Sequence, residues 1–114
     1  MYTIYHNPRC SKSRQTLAIM NENNVDIKDI KYLADPPTMS ELEDLSEKLA
    51  ISPMDFIRKK ESVFTELGLN NYKGSDSELC EIMSNNPKLI ERPIVVKGDR
   101  AIIGRPPENV LELF

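Results

Sequence analysis

The chain has 114 residues, of which 39% are hydrophobic and 29% charged, with eight prolines and four glycines. Folding at this length buries about two-thirds of the chain's surface, so a single domain with its own core is expected, neither disordered nor fibrous. Fifteen Lys and Arg against eighteen Asp and Glu leave a formal charge of -3, so nucleic acid is not an expected partner. No apolar run reaches the roughly 18 residues of a membrane-crossing helix, and the N-terminus lacks the basic and then apolar stretch of a secretion signal. A cytoplasmic protein with no membrane association is the expectation.

Met1 to His6 reads as a strand that ends at Asn7-Pro8, where proline cannot donate to a ladder. Ser13 to about Asn23 follows as a helix with Leu17, Met20 and Ile19 facing inward. A second strand is predicted over Asp26 to Leu33, with Ile27, Ile30 and Tyr32 as its apolar content, before Asp35-Pro36-Pro37 breaks the chain. Thr38-x-x-Glu41 and Ser40-x-x-Glu43 are competing capping boxes for a helix carrying Leu42, Leu45 and Leu49.

Ser52-Pro53 opens a short helix bearing Phe56, Ile57 and Arg58, and Val63 to Leu67 adds another that Gly68 closes. Ser75-x-x-Glu78 starts a further helix that ends before Pro87. Pro93 to Val96 and Ala101 to Ile103 form a hairpin around Lys97-Gly98-Asp99-Arg100. Pro106-Pro107-Glu108 then begins a terminal helix with Val110, Leu111 and Phe114 on its apolar side.

The order is β-α-β, a helical block, then β-β-α. A right-handed crossover makes the first two strands parallel, and the late hairpin is antiparallel. The expected fold class is α/β, a thioredoxin-like mixed four-stranded sheet in one domain over 1–114, with a helical insertion at about 38–86. A monomer is expected.

Cys10 lies where the first strand passes into the first helix, a place whose free amides and dipole favour an anion such as a thiolate. Arg9, Lys12 and Arg14 surround it, and no Asp or Glu precedes Glu22 in a chain that is acidic overall. A helix start normally carries acids, so three bases there point to a negative charge supplied by a bound oxyanion, by the sulfur, or by both. The competing reading, an ordinary buried cysteine, leaves that charge pattern unexplained.

His6, the one histidine, can help hold the thiolate or order the loop. Cys10-Ser11-Lys12-Ser13 places serine where a second cysteine would close a local disulfide. Ser13 can donate to the sulfur but cannot resolve a disulfide, so the cycle needs an external thiol, and glutathione with a glutaredoxin is the cytoplasmic supplier. Cys80, among Leu79, Ile82 and Met83, reads as core, with a resolving role as the alternative. Arg58, Arg92 and Arg105 are candidates to complete an anion pocket, although each can equally be a surface arginine. The Arg92-Pro93 bond can be cis at such a strand start. No Gly-rich phosphate loop, zinc pair or Cys-x-x-Cys knuckle occurs, so no metal or bound cofactor is expected.

His6-Asn7-Pro8-x-Cys10-x-x-Ser13-Arg14, Arg58-Lys59-Lys60-Glu61, Glu91-Arg92-Pro93-Ile94-Val95-Val96 and Gly104-Arg105-Pro106 together resemble the glutaredoxin-coupled arsenate reductases from about Thr3 to Phe114. Arg9, Lys12 and the ending Gly104-Arg105-Pro106-Pro107-Glu108 resemble a sibling group of that family. The resemblance implies a thioredoxin-like fold and arsenate, or a related oxyanion, as substrate. It implies Cys10 as nucleophile, with His6 and Ser13 tuning it and Arg58, Arg92 and Arg105 polarising the substrate. Ser11, Lys12 and Arg14 would line the oxyanion site with them. Glutathione is the implied external reductant and glutaredoxin the implied partner. Two other functions compete: a redox-responsive transcription regulator that binds RNA polymerase, whose relatives typically carry Cys-x-x-Cys, and a general glutathione-linked thiol exchanger that needs no oxyanion pocket.

Overall fold

Short runs rich in branched and aromatic side chains build the sheet, and Ile4 and Val95, neither exposed, are its middle. The structure is a computed structural model and describes residues 1–114. Strands β1 (Tyr2–His6), β2 (Ile27–Lys31), β3 (Ile94–Lys97) and β4 (Arg100–Ile103) lie in the order β2-β1-β3-β4. β1 and β2 run parallel with Tyr2 opposite Ile27, β3 runs antiparallel to β1 with Val95 opposite Ile4, and β4 is antiparallel to β3. This is the mixed four-stranded, thioredoxin-like sheet that the element order predicts.

The chain divides into two compact units, Met1–Asp35 with Arg92–Phe114, and Pro36–Glu91. In the first, the sheet is covered by α1 (Ser11–Glu22) and by a terminal 3-10 helix (Pro107–Leu113). Ile4, Met20, Val95, Val110 and Leu113 form its core, flanked by Tyr2, Leu17, Ile19, Val25, Ile27 and Ile102. Tyr2 fastens the chain's end: its hydroxyl donates to Leu113 O at 3.1 Å and its ring meets Phe114 edge to face.

Several expected boundaries move for identifiable reasons. α1 begins at Ser11 rather than Ser13 because its first turn, Ser11-Lys12, has no apolar side chain for periodicity to register. Its inner face is more polar than predicted: Ser13, Thr16 and Met20 are buried, and Leu17 and Ile19 only partly so. β2 stops at Lys31 instead of reaching Leu33, since Ala34 N and Asp35 N both donate to Lys31 O and turn the chain. In the hairpin, Lys97 pairs with Arg100, which leaves Gly98, at φ 61°, and Asp99 as the turn.

The terminal helix is the clearest correction. An α-helical period puts Val110, Leu111 and Phe114 on one face, but the segment is a 3-10 helix that buries Pro107, Val110 and Leu113. Residues three apart eclipse in that geometry, so Leu111 and Phe114 turn outward at 49% and 44% exposure.

The second unit contains α2 (Met39–Leu49), α3 (Ser62–Glu66) and α4 (Asp76–Asn85), with short 3-10 turns between them and after α4. Of the competing boxes, Thr38 with Glu41 is the one that forms, and Ser75 with Glu78 caps α4 in the same way. The expected helix after Ser52 is one 3-10 turn, Pro53–Asp55. Beyond it, Ile57 pairs with Ile90, Arg58 N donates to Leu89 O at 2.7 Å and Phe56 O accepts from Glu91 N at 2.9 Å. Gly68 closes α3 in the left-handed region at φ 69°. No helix is long and apolar enough to cross a membrane.

Thr38 accepts from Glu41 N at 3.1 Å while Glu41 Oε1 accepts from Thr38 N at 3.0 Å. Thr38→Ala is therefore expected to lower unfolding free energy by about 1 kcal/mol, read from the midpoint shift in urea at constant slope.

Candidate active site

The loop that delivers the cysteine is built by asparagine. Asn7 Oδ1 accepts from Arg9 N at 3.0 Å, an Asx turn, and Asn7 O accepts from Cys10 N at 3.0 Å. These bonds bring Cys10 to the N-cap of α1 with φ -94° and ψ 123°, the extended geometry of a capping residue. Its thiol closes no capping bond of ordinary length, so the amides of Ser13 and Lys12 keep donor capacity that acts on the sulfur when it is charged.

Cys10 is 8% exposed. Burial pushes its thiol up, but the Ser13 amide, the Arg92 guanidinium and the Lys12 amide outweigh it, and the net shift is downward from 9.0. Arg105 Nη1 lies 3.9 Å from Cys10 Sγ and 3.4 Å from Arg92 O. Both arginines precede proline across cis bonds, Arg92-Pro93 and Arg105-Pro106.

The Ser13 hydroxyl does not turn to the sulfur. It accepts from Asn7 N at 3.0 Å and lies 2.5 Å from His6 Nδ1. His6 is 4% exposed, and its pKa is lowered, chiefly by burial, against a raising contribution from Asp29. A neutral ring that accepts the Ser13 proton at Nδ1 satisfies the whole network, with Nε2 protonated; this tautomer is assigned from the bonding pattern. Thus His6 orders the loop through Ser13.

Among the basic neighbours, Arg14 Nη1 donates to Pro8 O at 2.9 Å and so ties the loop. Ser11, Lys12 and Arg9 are exposed. Arg58 belongs to the second unit, where its Nη1 pairs with Glu61 Oε1 at 2.9 Å. Cys80, also in that unit, is wholly buried on α4, and burial with Glu43 and Asp76 pushes its thiol up to about 11. No group of His, Cys, Asp and Glu is placed to hold a metal ion.

Three contributors escape the sequence reading. Asn7 builds the cysteine loop, and its Asx signal before proline is visible in retrospect. Thr16 and Gly104 meet across the fold, and no local signal joins residues so far apart.

The ArsC family model matches residues 5–113. The chain is 48% identical over 111 residues to the uncharacterized protein YfgD of Escherichia coli K12, covering 96% of this chain and 93% of that protein. It is 42% identical over 108 residues to an arsenate reductase of Neisseria meningitidis serogroup A, covering 94% of this chain and 92% of that one. The solved arsenate reductase of Vibrio cholerae superposes with a TM-score of 0.95 at 45% identity, covering 99% of this chain and 97% of the other.

Two measurements follow from the electrostatics. The pH midpoint of Cys10 alkylation is expected below 9.0, and Arg92→Ala should move it upward. For His6, the unfolded chain binds a proton near pH 6.5 that the folded chain resists. Its contribution therefore opposes folding as pH falls from 6.5 through the lowered folded value, and is absent above 6.5. Denaturation series in the parent and in His6→Gln should show a smaller acid loss in the variant.

Proposed function

The chain belongs to the ArsC family and is an oxidoreductase, and from that premise we propose that it reduces arsenate to arsenite through Cys10 with glutathione and a glutaredoxin. The observation that carries this reading is the Cys10 sulfur at a helix start, with its pKa lowered and with Arg92 and Arg105 beside it. A soft nucleophile and a receptor for a tetrahedral anion then occupy one place.

In the proposed cycle the Cys10 thiolate attacks arsenic, forming an arsenic–sulfur bond as oxygen leaves protonated, as water. Arg92 and Arg105 offset the charge on the remaining oxygens, a task suited to planar guanidinium donors. Glutathione then displaces a second oxygen from the arsenic of that adduct, its sulfur bonding to arsenic as the thiol proton leaves with that oxygen as water. The glutaredoxin thiolate then attacks the glutathione sulfur, the sulfur–arsenic pair stays on arsenic, and As(V) becomes As(III). The two electrons come from two thiols that end as one mixed disulfide. Water releases arsenite from Cys10, which recovers its proton. His6 and Ser13 hold the loop throughout, the exposed Lys12 and Arg14 contribute to the field that draws the anion in, and the exposed Ser11 hydroxyl is a hydrogen-bond donor beside them.

The test is arsenate-dependent disulfide formation with glutathione and glutaredoxin supplied. Cys10→Ser is expected to abolish turnover with the fold retained, and Arg92→Ala and Arg105→Ala to lower kcat/KM by about 100-fold each. Arg58, the third guanidinium assigned by the resemblance, is expected to show a raised KM for arsenate on replacement by Ala. Turnover in Cys10→Ser overturns the mechanism. Thiol exchange that ignores both Arg92 and Arg105 instead identifies a general glutathione-linked exchanger.

A further inference from the structure

Thr16 has 0% exposure on the inner face of α1. A β-branched hydroxyl residue in a helix interior is a modest helix former and a poor apolar filler, so its burial calls for a cause. Its Oγ1 donates to Lys12 O at 2.8 Å and stands 3.4 Å from Gly104 O. With the hydroxyl proton committed to Lys12, the second contact is too long for a strong bond, and packing is the tighter relation. A Cβ on Gly104 would stand 2.5 Å from Thr16 Oγ1, 3.1 Å from Thr16 Cγ2 and 2.8 Å from Pro93 Cγ. The bare Cα of Gly104 therefore rests against Thr16, while Gly104 N donates to Pro93 O at 2.9 Å.

The residue after Gly104 is Arg105, whose Nη1 reaches Cys10 Sγ and Arg92 O. The residue whose carbonyl Thr16 holds is Lys12, whose amide favours the charged sulfur. One buried side chain thus touches the helix turn that faces the sulfur and also the segment that carries the guanidinium.

We propose that Thr16 is a positioning residue: it seats Gly104 so that the Arg105 guanidinium stands over an oxyanion held at Cys10. This rests on the reading of the site as an oxyanion site. Thr16 acts only through its neighbour, because a guanidinium shifted by about 1 Å at its root loses much of its value to a bound anion.

The experiment measures how arsenate protects Cys10 from alkylation in the intact protein, with each variant referred to its own rate without arsenate. Thr16→Val, which puts a methyl where the hydroxyl meets Gly104, is expected to raise the half-protecting arsenate concentration about tenfold. Thr16→Ser, which keeps the hydroxyl, should stay within about threefold of the parent. If Thr16 works through Arg105, adding Thr16→Val to Arg105→Ala weakens protection no further. Should Thr16→Val fail to fold, Thr16→Ala empties the seat without crowding it and is read in the same way. Protection in Thr16→Val equal to the parent's overturns the proposal, as does a double variant in which the two losses multiply. A parent that arsenate does not protect at all overturns the oxyanion reading itself, and the seat with it.

Discussion

Burial leaves the Cys10 sulfur only 8% exposed, which opposes its anion unless its surroundings favour charge, and the groups around it act on that balance. Burial alone raises a thiol pKa. Cys80 shows the result where no cation intervenes: buried on α4 with Glu43 and Asp76 near it, it is pushed up to about 11. Cys10 meets the same opposition but lies at a helix start, with two amides and the Arg92 guanidinium acting on it, and the balance reverses. One chain therefore holds two thiols of opposite character, and position relative to helix ends and charges separates them.

The division of labour inside the loop follows from hydrogen-bonding capacity. Ser13 has one hydroxyl, and His6 Nδ1 and Asn7 N engage it. Its amide is left to serve the sulfur, so a single residue supports the loop through its side chain and the Cys10 sulfur through its backbone. The hydroxyl cannot act as a second thiol, and Cys80 is held protonated in the core. Both facts support a cycle whose electrons arrive from an outside thiol.

Much of this was legible in the chain's own order. Short apolar runs bounded by proline and turn residues, capping boxes at Thr38 and Ser75, and the hairpin at Gly98 marked the elements of the sheet and its cover, because each is decided by residues within a few positions. Cys10 was singled out because a run of bases without an acid before Glu22 is a local anomaly. What stayed hidden depends on distance or on helix type. The pairing of Thr16 with Gly104 joins α1 to the end of β4. The 3-10 geometry of Pro107–Leu113 changes which apolar residues face inward, and α-helical and 3-10 periods differ too little for seven residues to declare the type. Arg58 carries no signal of its own beyond its motif, and within its unit it is half of an ion pair with Glu61.

The seclusion of Cys80 gives the protein a built-in gauge of its own integrity. With that sulfur inaccessible and protonated while α4 is in place, a thiol reagent at neutral pH consumes one equivalent per native molecule. The second equivalent is taken up only as the helix opens, so the rate of its uptake reports the opening of α4 without a label or a spectroscopic handle.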